Sequence, residues 1–511
     1  MATTLALVAM AAAPTVVARV ARLEAQEARD VREPSRHLDA PETLTLDEAI
    51  RLARDNNPGF LRQRNGQSVA DWRVREAYGR LLPQVSAGGS AAYTQAGVQR
   101  IGTLDFGAQS TDWYSSSYAL SFSWRLDGDA LFGVSNARAD ADATRARIRA
   151  AAFDLESQVT IQYMAALRAR DQVRVAERQL ERARQNRRLV DARVASGAAS
   201  GTEGKQAEVD AGRAEVAVIQ ARQALREQKL LLMERIGVPV EEDVRLVAAF
   251  KVFRPEWALD RLIAEALRLH PTLRASRAVE RAAHAGVRQA RSAYFPTVSL
   301  STALRGNTLQ ALNEDFLVKS AEAGAARQRD ECELFNAINA GLGRTLPGLP
   351  RDCSVFAFTD QARHDLLARN EAFPFDFTRI PMTFSLSVSL PLFNGFARQR
   401  QLEEAQAAAR DAREDRREES LRIRTEVTRA FDGLETAHQV VRLEERNRAV
   451  AEEQLTLEQR RYALGAASLL ELLDAQTRMG TAEQAYLNAQ YDFHWNLVRL
   501  EAAVGRPLRP R

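Results

Sequence analysis

Gly197-Ala198-Ala199-Ser200 recurs letter for letter as Gly465-Ala466-Ala467-Ser468, 268 positions on (465 − 197). Gly237 and Pro239 return at the same offset as Gly505 and Pro507. Upstream the offset is 213 (259 − 46): Leu46-Asp47, Ile50, Ala53 and Pro58 return as Leu259-Asp260, Ile263, Ala266 and Pro271. Pro83, Val85 and Ser86 return there as Pro296, Val298 and Ser299. The chain is a fused duplication. The offset grows by 55 (268 − 213), so one insertion lies in the second copy, between Ser299 and Gly465. The expected organisation is a first repeat over 44–240, a linking segment over 241–257 and a second repeat over 258–507. The insertion is placed at 307–377.

Each copy runs helix, strand, strand, long helix. Val134 to Ser196 holds no Gly or Pro, and Ala397 to Leu464 has Gly433 as its one interruption. At ~1.5 Å per residue, the first of these makes a helix on the order of 95 Å. That is far beyond the use of a compact soluble domain. Ala152, Leu155, Val159, Ala166, Ala169, Val173, Ala176, Leu180, Ala183, Val190 and Val194 follow steps of three and four, broken at Gln162 and Arg187. After the second Gly-Ala-Ala-Ser, a large row (Leu472, Met479, Tyr486, Phe493, Leu500) runs beside a small one (Ala475, Ala482, Ala489, Ala503). Large residues facing alanines permit knobs-into-holes packing, and a seven-residue period sets a left-handed supercoil.

Four segments alternate with period two. Tyr118, Leu120, Phe122 and Trp124 face opposite to Ser117, Ala119, Ser121 and Ser123; Phe384, Leu386, Val388 and Leu390 face opposite to Thr383, Ser385, Ser387 and Ser389. The segments opened by Pro83 and Pro296 alternate more weakly. Bulky apolar residues on one face and small hydroxyls on the other suit a membrane barrel with a wet lumen, or one face of a soluble sheet. The long helices argue for the barrel. Four strands cannot close a barrel, which needs about eight, so several chains must share one. An elongated soluble coiled-coil scaffold is the alternative, though four strands interrupting the helices do not suit it.

The charge balance is nearly even, with 71 basic and 67 acidic residues and a net +4. That excludes a nucleic-acid footprint. No histidines lie at metal-ligand spacing with a carboxylate base, and Ser200 to Lys205 fails as a phosphate loop because Gln206 replaces the final hydroxyl. No nucleophile constellation emerges, so neither an enzyme nor a cofactor is expected. The first 21 residues, with Leu5 to Ala13 apolar and small, have the shape of a secretory signal that lacks its positive start, or of an Ala-rich leader. The two cysteines, Cys332 and Cys353, both lie in the insertion. In an exported chain they suggest a disulfide, with two free thiols as the alternative.

Three features together resemble the TolC-type outer-membrane efflux proteins: the run from Arg461 to Ala475, Pro391-Leu392-Phe393-Asn394-Gly395 leaving the last strand, and the repeat itself. The resemblance spans about Leu44 to Pro507. It implies an α/β membrane channel: a homotrimer sharing a twelve-stranded β-barrel, four strands per chain, in outer-membrane lipid. A coiled-coil α-helical barrel continues it across the periplasm toward a periplasmic adaptor and an inner-membrane pump. Gly197, Ala198, Ala199 and Ser200 with Gly465, Ala466, Ala467 and Ser468 become the periplasmic tips that meet the adaptor. Insertion 307–377 becomes an enlarged extracellular loop, and a shorter first loop falls near Gly97 to Asp112. Glu471 and Asp474 share a helix face and stand where the family places carboxylate rings at the tunnel mouth. Glu203 and Tyr462 match members of the polar set that holds the tip closed. The Arg expected two residues after Gly465 is replaced by Ala467.

Overall fold

The computed structural model describes residues 43–101, 104–109, 111–239, 244–247, 251–342 and 352–508. The expected leader lies outside them, as do residue 240 and, of the linking segment, 241–243 and 248–250. In chain order the elements are β1 (Thr43–Leu44), α1 (Leu46–Asn56), α2 (Pro58–Gly79), β2 (Gln84–Thr94), β3 (Gly97–Ile101), β4 (Leu104–Gln109) and β5 (Trp113–Leu126). Then come α3 (Gly128–Ala195), α4 (Gly201–Ile236), β6 (Arg245–Leu246), α5 (Leu259–Leu269), α6 (Pro271–Ser292) and β7 (Thr297–Ala311). Last are α7 (Glu314–Leu342), a 3-10 turn (Cys353–Phe356), α8 (Asp360–Asn370), β8 (Thr378–Ile380), β9 (Phe384–Ser389), α9 (Ala397–Ala463) and α10 (Leu469–Val504). The two offsets carry α1 and α2 onto α5 and α6, and α4 onto α10, residue for residue. None of the described helices is long and apolar enough to cross a membrane.

The chain forms two compact units. One, built from residues 68–143 and 278–414, holds the main sheet. Its order is β2-β5-β7, and the far edge of β7 pairs with β8 and then β9, all antiparallel. Register aligns the bulky rows: Trp124 lies opposite Leu300, which lies opposite Leu386, and Leu126–Val298–Val388 repeats this two residues on. Arg125, Ser299 and Ser387 run between them, and Gln84, Ser123, Ser301 and Ser385 form the polar row on the other side of Trp124. A single residue of slip would exchange the faces, so the two-faced pattern fixes the register.

The structure redraws the loops. The first is not irregular: β3 and β4 pair as a separate hairpin. β7 continues to Ala311, so the insertion begins five residues after the expected Asn307, because Asn307 to Ala311 pair with β5. The fourth strand, expected from Thr383 to Leu390, is found as β9 over Phe384–Ser389, with the short β8 added upstream of it. β8 and β9 flank Pro381, which has no N–H to give to the ladder. The insertion is largely helical, with Cys332 and Cys353 joined (Cα–Cα 5.8 Å). It is fastened to the sheet mainly by side chains. The Asn370 amide donates to and accepts from the backbone of Ala311, each at 2.8 Å, as an opposing strand residue would. Ser116 Oγ donates to the Pro374 carbonyl at 2.6 Å, and Tyr118 meets Phe377 edge-on at 4.8 Å.

The other unit, residues up to Gln67, Thr144–Arg277 and from Asp415 on, is helical. Its two main cores are repeat images. Ala53, Leu155, Val159, Leu232 and Ile236 form one; Ala266, Ile423, Val427, Leu500 and Val504 form the other. Most of the expected apolar row of α3 is buried, with Ala152 and Val194 partly so. α3 also buries a second row, Tyr163, Met164, Leu167 and Val175, that the three-four step did not reveal. Tyr163 donates its hydroxyl to the carbonyls of Leu44 and Val247, holding the parallel β1–β6 pair. Gly433 has a packing reason: a Cβ there would lie 2.9 Å from Asn496 Oδ1.

Each copy closes on itself in the same way. Helices α4 and α10 end at Gly237 and Gly505, with φ of 84° and 86°. A Cβ on either would strike the junction that precedes a helix-opening proline: the Asn56 carbonyl at 2.5 Å, or His270 Cα at 2.9 Å. Both constraints require Gly. In copy one, the Asn57 amide donates to the Arg235 carbonyl and its Oδ1 accepts from Phe60 N–H. In copy two, His270 Nδ1 accepts from Thr272 N–H at 3.3 Å, so Nε2 carries the proton and donates to the Ala502 carbonyl at 3.0 Å. Burial pushes the His270 pKa down.

Candidate functional site: the paired helix tips

The two Gly-Ala-Ala-Ser segments form two nearly identical turns. Gly197 and Gly465 have φ of 75° and 76°. In the first, Gly197 N–H reaches the Val194 carbonyl at 3.0 Å and Ala198 N–H the Arg193 carbonyl at 2.8 Å; Gly465 and Ala466 repeat both distances on Tyr462 and Arg461. This satisfies helix-end carbonyls with an αL residue that favours Gly. Ser200 and Ser468 then cap the next helices, each accepting at 3.3 Å from the N–H of Glu203 or Glu471. Arg193 and Arg461 are also images, and each donates to its own turn, at Ala198 O (3.1 Å) and Ala466 O (3.2 Å).

From there the tips differ. Tyr462 replaces Val194, and it is buried. Its hydroxyl donates to Glu203 at 3.2 Å. Burial, and then this carboxylate, raise its pKa. Arg193 stacks over the Tyr462 ring at 4.4 Å and donates to the Tyr462 carbonyl as well. It therefore ties the first turn to the end of α9. Arg461 makes no such crossing among the described contacts; it pairs with Glu458 at 2.8 Å. So the sequence pair Glu203–Tyr462 is brought into contact, and Arg193, which sequence reading missed, joins it. Its signal was its position four residues before Gly197, repeated at Arg461.

Glu471 and Asp474 are both exposed, but each has a local partner. The Glu471 carboxylate folds back onto Ser468, accepting from its N–H at 2.7 Å and its hydroxyl at 2.9 Å. This is a complete capping box. The Ser468 backbone bond, more than its hydroxyl, holds the Glu471 pKa below its ordinary value. Asp474 accepts from Arg478 Nε at 2.8 Å. Asp474 also lines a groove of about 840 Å³ with Gln206, Asp210, Gln476, Thr477 and Gln484. Leu470, Leu473 and Ala214 line it as well, so its surface is mixed, and it offers no nucleophile–base pair. Among the described residues no group of His, Cys, Asp and Glu could hold a metal.

Below the tips, α3 and α10 are bound by polar pairs inside the packing. Glu483, nearly buried, takes Arg182 and also Arg178 at 3.4 Å. Asn186 donates to Gln476 at 2.6 Å. Nearby, Tyr491 donates to Asp171 at 2.5 Å, and burial is the main reason its pKa rises.

Paired capped helix turns on long heptad helices, with a two-faced antiparallel sheet in the same chain, define a channel-type envelope protein. The chain belongs to the outer membrane efflux protein family, whose model matches residues 49–238 and 362–506. It is 29% identical over 271 residues to the pyoverdine export outer membrane protein OpmQ of Pseudomonas putida, covering 50% of this chain and 55% of that one. The alignment thus spans about half the length of that relative. The fold is that of the outer membrane protein VceC of Vibrio cholerae, at a TM-score of 0.64, 17% identity and coverage of 91% of this chain and 97% of that one. It is also that of the MtrE outer membrane channel of Neisseria gonorrhoeae in its open state, at 0.64, 18%, 91% and 89%.

Proposed function

We propose that this chain is one third of an outer-membrane exit duct: a passive, non-enzymatic channel through which a tripartite efflux or type I secretion system discharges its cargo. The observation that carries this is the sheet with two open edges. β2 is exposed along its whole length, and on β9 the apolar residues Phe384, Leu386 and Val388 are 73%, 69% and 67% exposed. An open apolar edge is intolerable both in water and in lipid. Three copies joined edge to edge give twelve strands and no edge, with the bulky rows toward lipid and the serine rows toward the lumen. The helices continue the duct into the periplasm. The turns at Gly197–Ser200 and Gly465–Ser468 are offered to a periplasmic adaptor, and through it to an inner-membrane pump.

The mouth is set by Glu471 and Asp474. Three copies bring six carboxylates together, which favours cations and resists full ionisation. The duct in planar bilayers is expected to conduct poorly, to select cations and to be blocked from the tip side by polyvalent cations. Because Glu471 also caps α10, the gate is best tested with E471Q/D474N, which removes charge and keeps the cap. That variant should lose selectivity and block while remaining trimeric in detergent. Unchanged selectivity and block in a folded trimer would reject the gate. Recovery of the native chain only as a soluble monomer would reject the duct itself and favour a coiled-coil scaffold. The OpmQ likeness makes pyoverdine the first cargo to try.

A further inference from the structure

The duplication lets the contacts inside one chain be carried onto the contacts it makes with a second. Within the chain, α6 of copy two packs on α3 of copy one. Gln289 Nε2 donates to Asp129 Oδ1 at 2.6 Å. Gly286 faces Asn136, whose Oδ1 would lie 3.8 Å from a Cβ on that glycine. Gly128 lies so close to the Ser292 carbonyl that no side chain fits. Ala282 and Ala285 of α6 are buried.

The 213 offset carries α6 back onto α2, and the 268 offset carries α3 forward onto α9. The second mapping holds along the helix: Leu155, Val159, Ala166, Ala169 and Val173 are buried, and so are Ile423, Val427, Leu434, Ala437 and Val441. The images of Ala282 and Ala285 are Val69 and Trp72, which are 51% and 65% exposed. The face that copy two covers is therefore bare in copy one.

The three contacts then become three pairs with fitting chemistry. Gly286–Asn136 becomes Arg73–Glu404, opposite charges on exposed positions. Gly128–Ser292 becomes Phe396–Gly79, with bulk and absence of bulk exchanged. Phe396 is 67% exposed, and Gly79 has open space around it. Gln289–Asp129 becomes Glu76–Ala397, which sets a carboxylate beside the first residue of a helix, where the dipole favours it.

We propose that the α2 face bearing Val69, Trp72 and Arg73 docks on the start of α9 in a second copy of this chain. Arg73 pairs with Glu404 of that copy, and Gly79 receives its Phe396. The proposal rests on the duct reading for the number of copies and adds which residues make the seam. Glu404 already accepts from Arg400 at 2.5 Å on its own helix, and its second oxygen is free to take a guanidinium from the neighbour.

The test is disulfide trapping in the full chain, purified from membranes. The native cysteines are already joined to each other. R73C/E404C should give dimer and trimer ladders on mild oxidation, whereas Q67C/E404C, displaced along α2, should not. In a second measurement, R73E and E404R should each lower the trimer fraction roughly fivefold in graded detergent, and the double reversal should restore it. A trimer that yields no ladder from R73C/E404C overturns this seam and leaves the duct standing. A chain that is monomeric throughout overturns both.

Discussion

α4 and α10 are the same helix written twice, and they have different fates. Each is 36 residues long, opens on a serine cap and closes on a left-handed glycine. Yet α10 buries fifteen residues and α4 six, so only α10 is enclosed by its own chain. The exposed Val209, Val216 and Ile219 of α4 have as images Thr477, Gln484 and the buried Leu487. Glu483, nearly buried between two arginines, has as its image Glu215, exposed and 3.9 Å from Arg184. The ends of a repeat are fixed by backbone geometry, which every copy must satisfy. The faces answer to neighbours, and the neighbours differ.

The sharpest way to break this comparison is at the glutamates. E483A strands the largely buried Arg182 guanidinium and should cost about 3 kcal/mol in detergent unfolding. E215A should be indistinguishable from wild type, as exposed pairs contribute little. Equal losses would mean that the burial contrast between the helices is wrong. Next come the arginines. R193A removes one charged hydrogen bond and the stacking on Tyr462 that cross between tips, and should cost about 2 kcal/mol and raise single-channel conductance. R461A loses its link to its own turn and its exposed pair with Glu458, and should leave conductance unchanged.

The caps should differ less. S468A ends a complete capping box and should cost about 1 kcal/mol. S200A should cost less, because Glu203 is held by Tyr462 as well. The smallest effect is a pH slope. His270 is neutral in the fold and its pKa is depressed, so the unfolded chain takes up a proton first as pH falls. Stability should therefore be full above about 6.5, the ordinary histidine value, and be lost progressively below it. H270N, which copies what Asn57 does in the first repeat, should flatten that slope in unfolding measured between neutral and mildly acid pH.

Much of this was readable in advance because it is local or periodic. The rows Leu472–Met479–Tyr486–Phe493–Leu500 and Ala475–Ala482–Ala489–Ala503 are buried as the seven-residue spacing required, except that Tyr486 and Ala482 are only partly so. The αL glycines of both turns followed from Gly-Ala-Ala-Ser. The serine caps were equally visible in Ser200-x-x-Glu203 and Ser468-x-x-Glu471, although only the second completes a capping box. Long-range polar choices were not readable. Nothing near Glu483 points to Arg182, 301 positions away, because an ion pair leaves no periodic trace. Pro381 marks where β8 ends before β9, as a residue without an N–H requires. The helices of the insertion carry no strong period, since α7 meets little of the rest of the fold and only Val318 and Cys332 of its described residues are buried.

The way the insertion is fastened has one more consequence. It meets the sheet through a handful of side chains, chiefly the Asn370 amide on Ala311 and Ser116 on the Pro374 carbonyl. A disulfide between Cys332 and Cys353, 21 residues apart, closes a loop within it. It is a lid with its own clasp, hung from a frame whose strand register does not depend on it. Such a part is replaceable. Changing its length or its surface should leave the strand pairing of the frame intact. The stretch between the two blocks matched by the family model, 239–361, contains most of this lid. The same stretch also holds α5, α6 and β7, so duplicated frame and inserted part lie side by side along the chain.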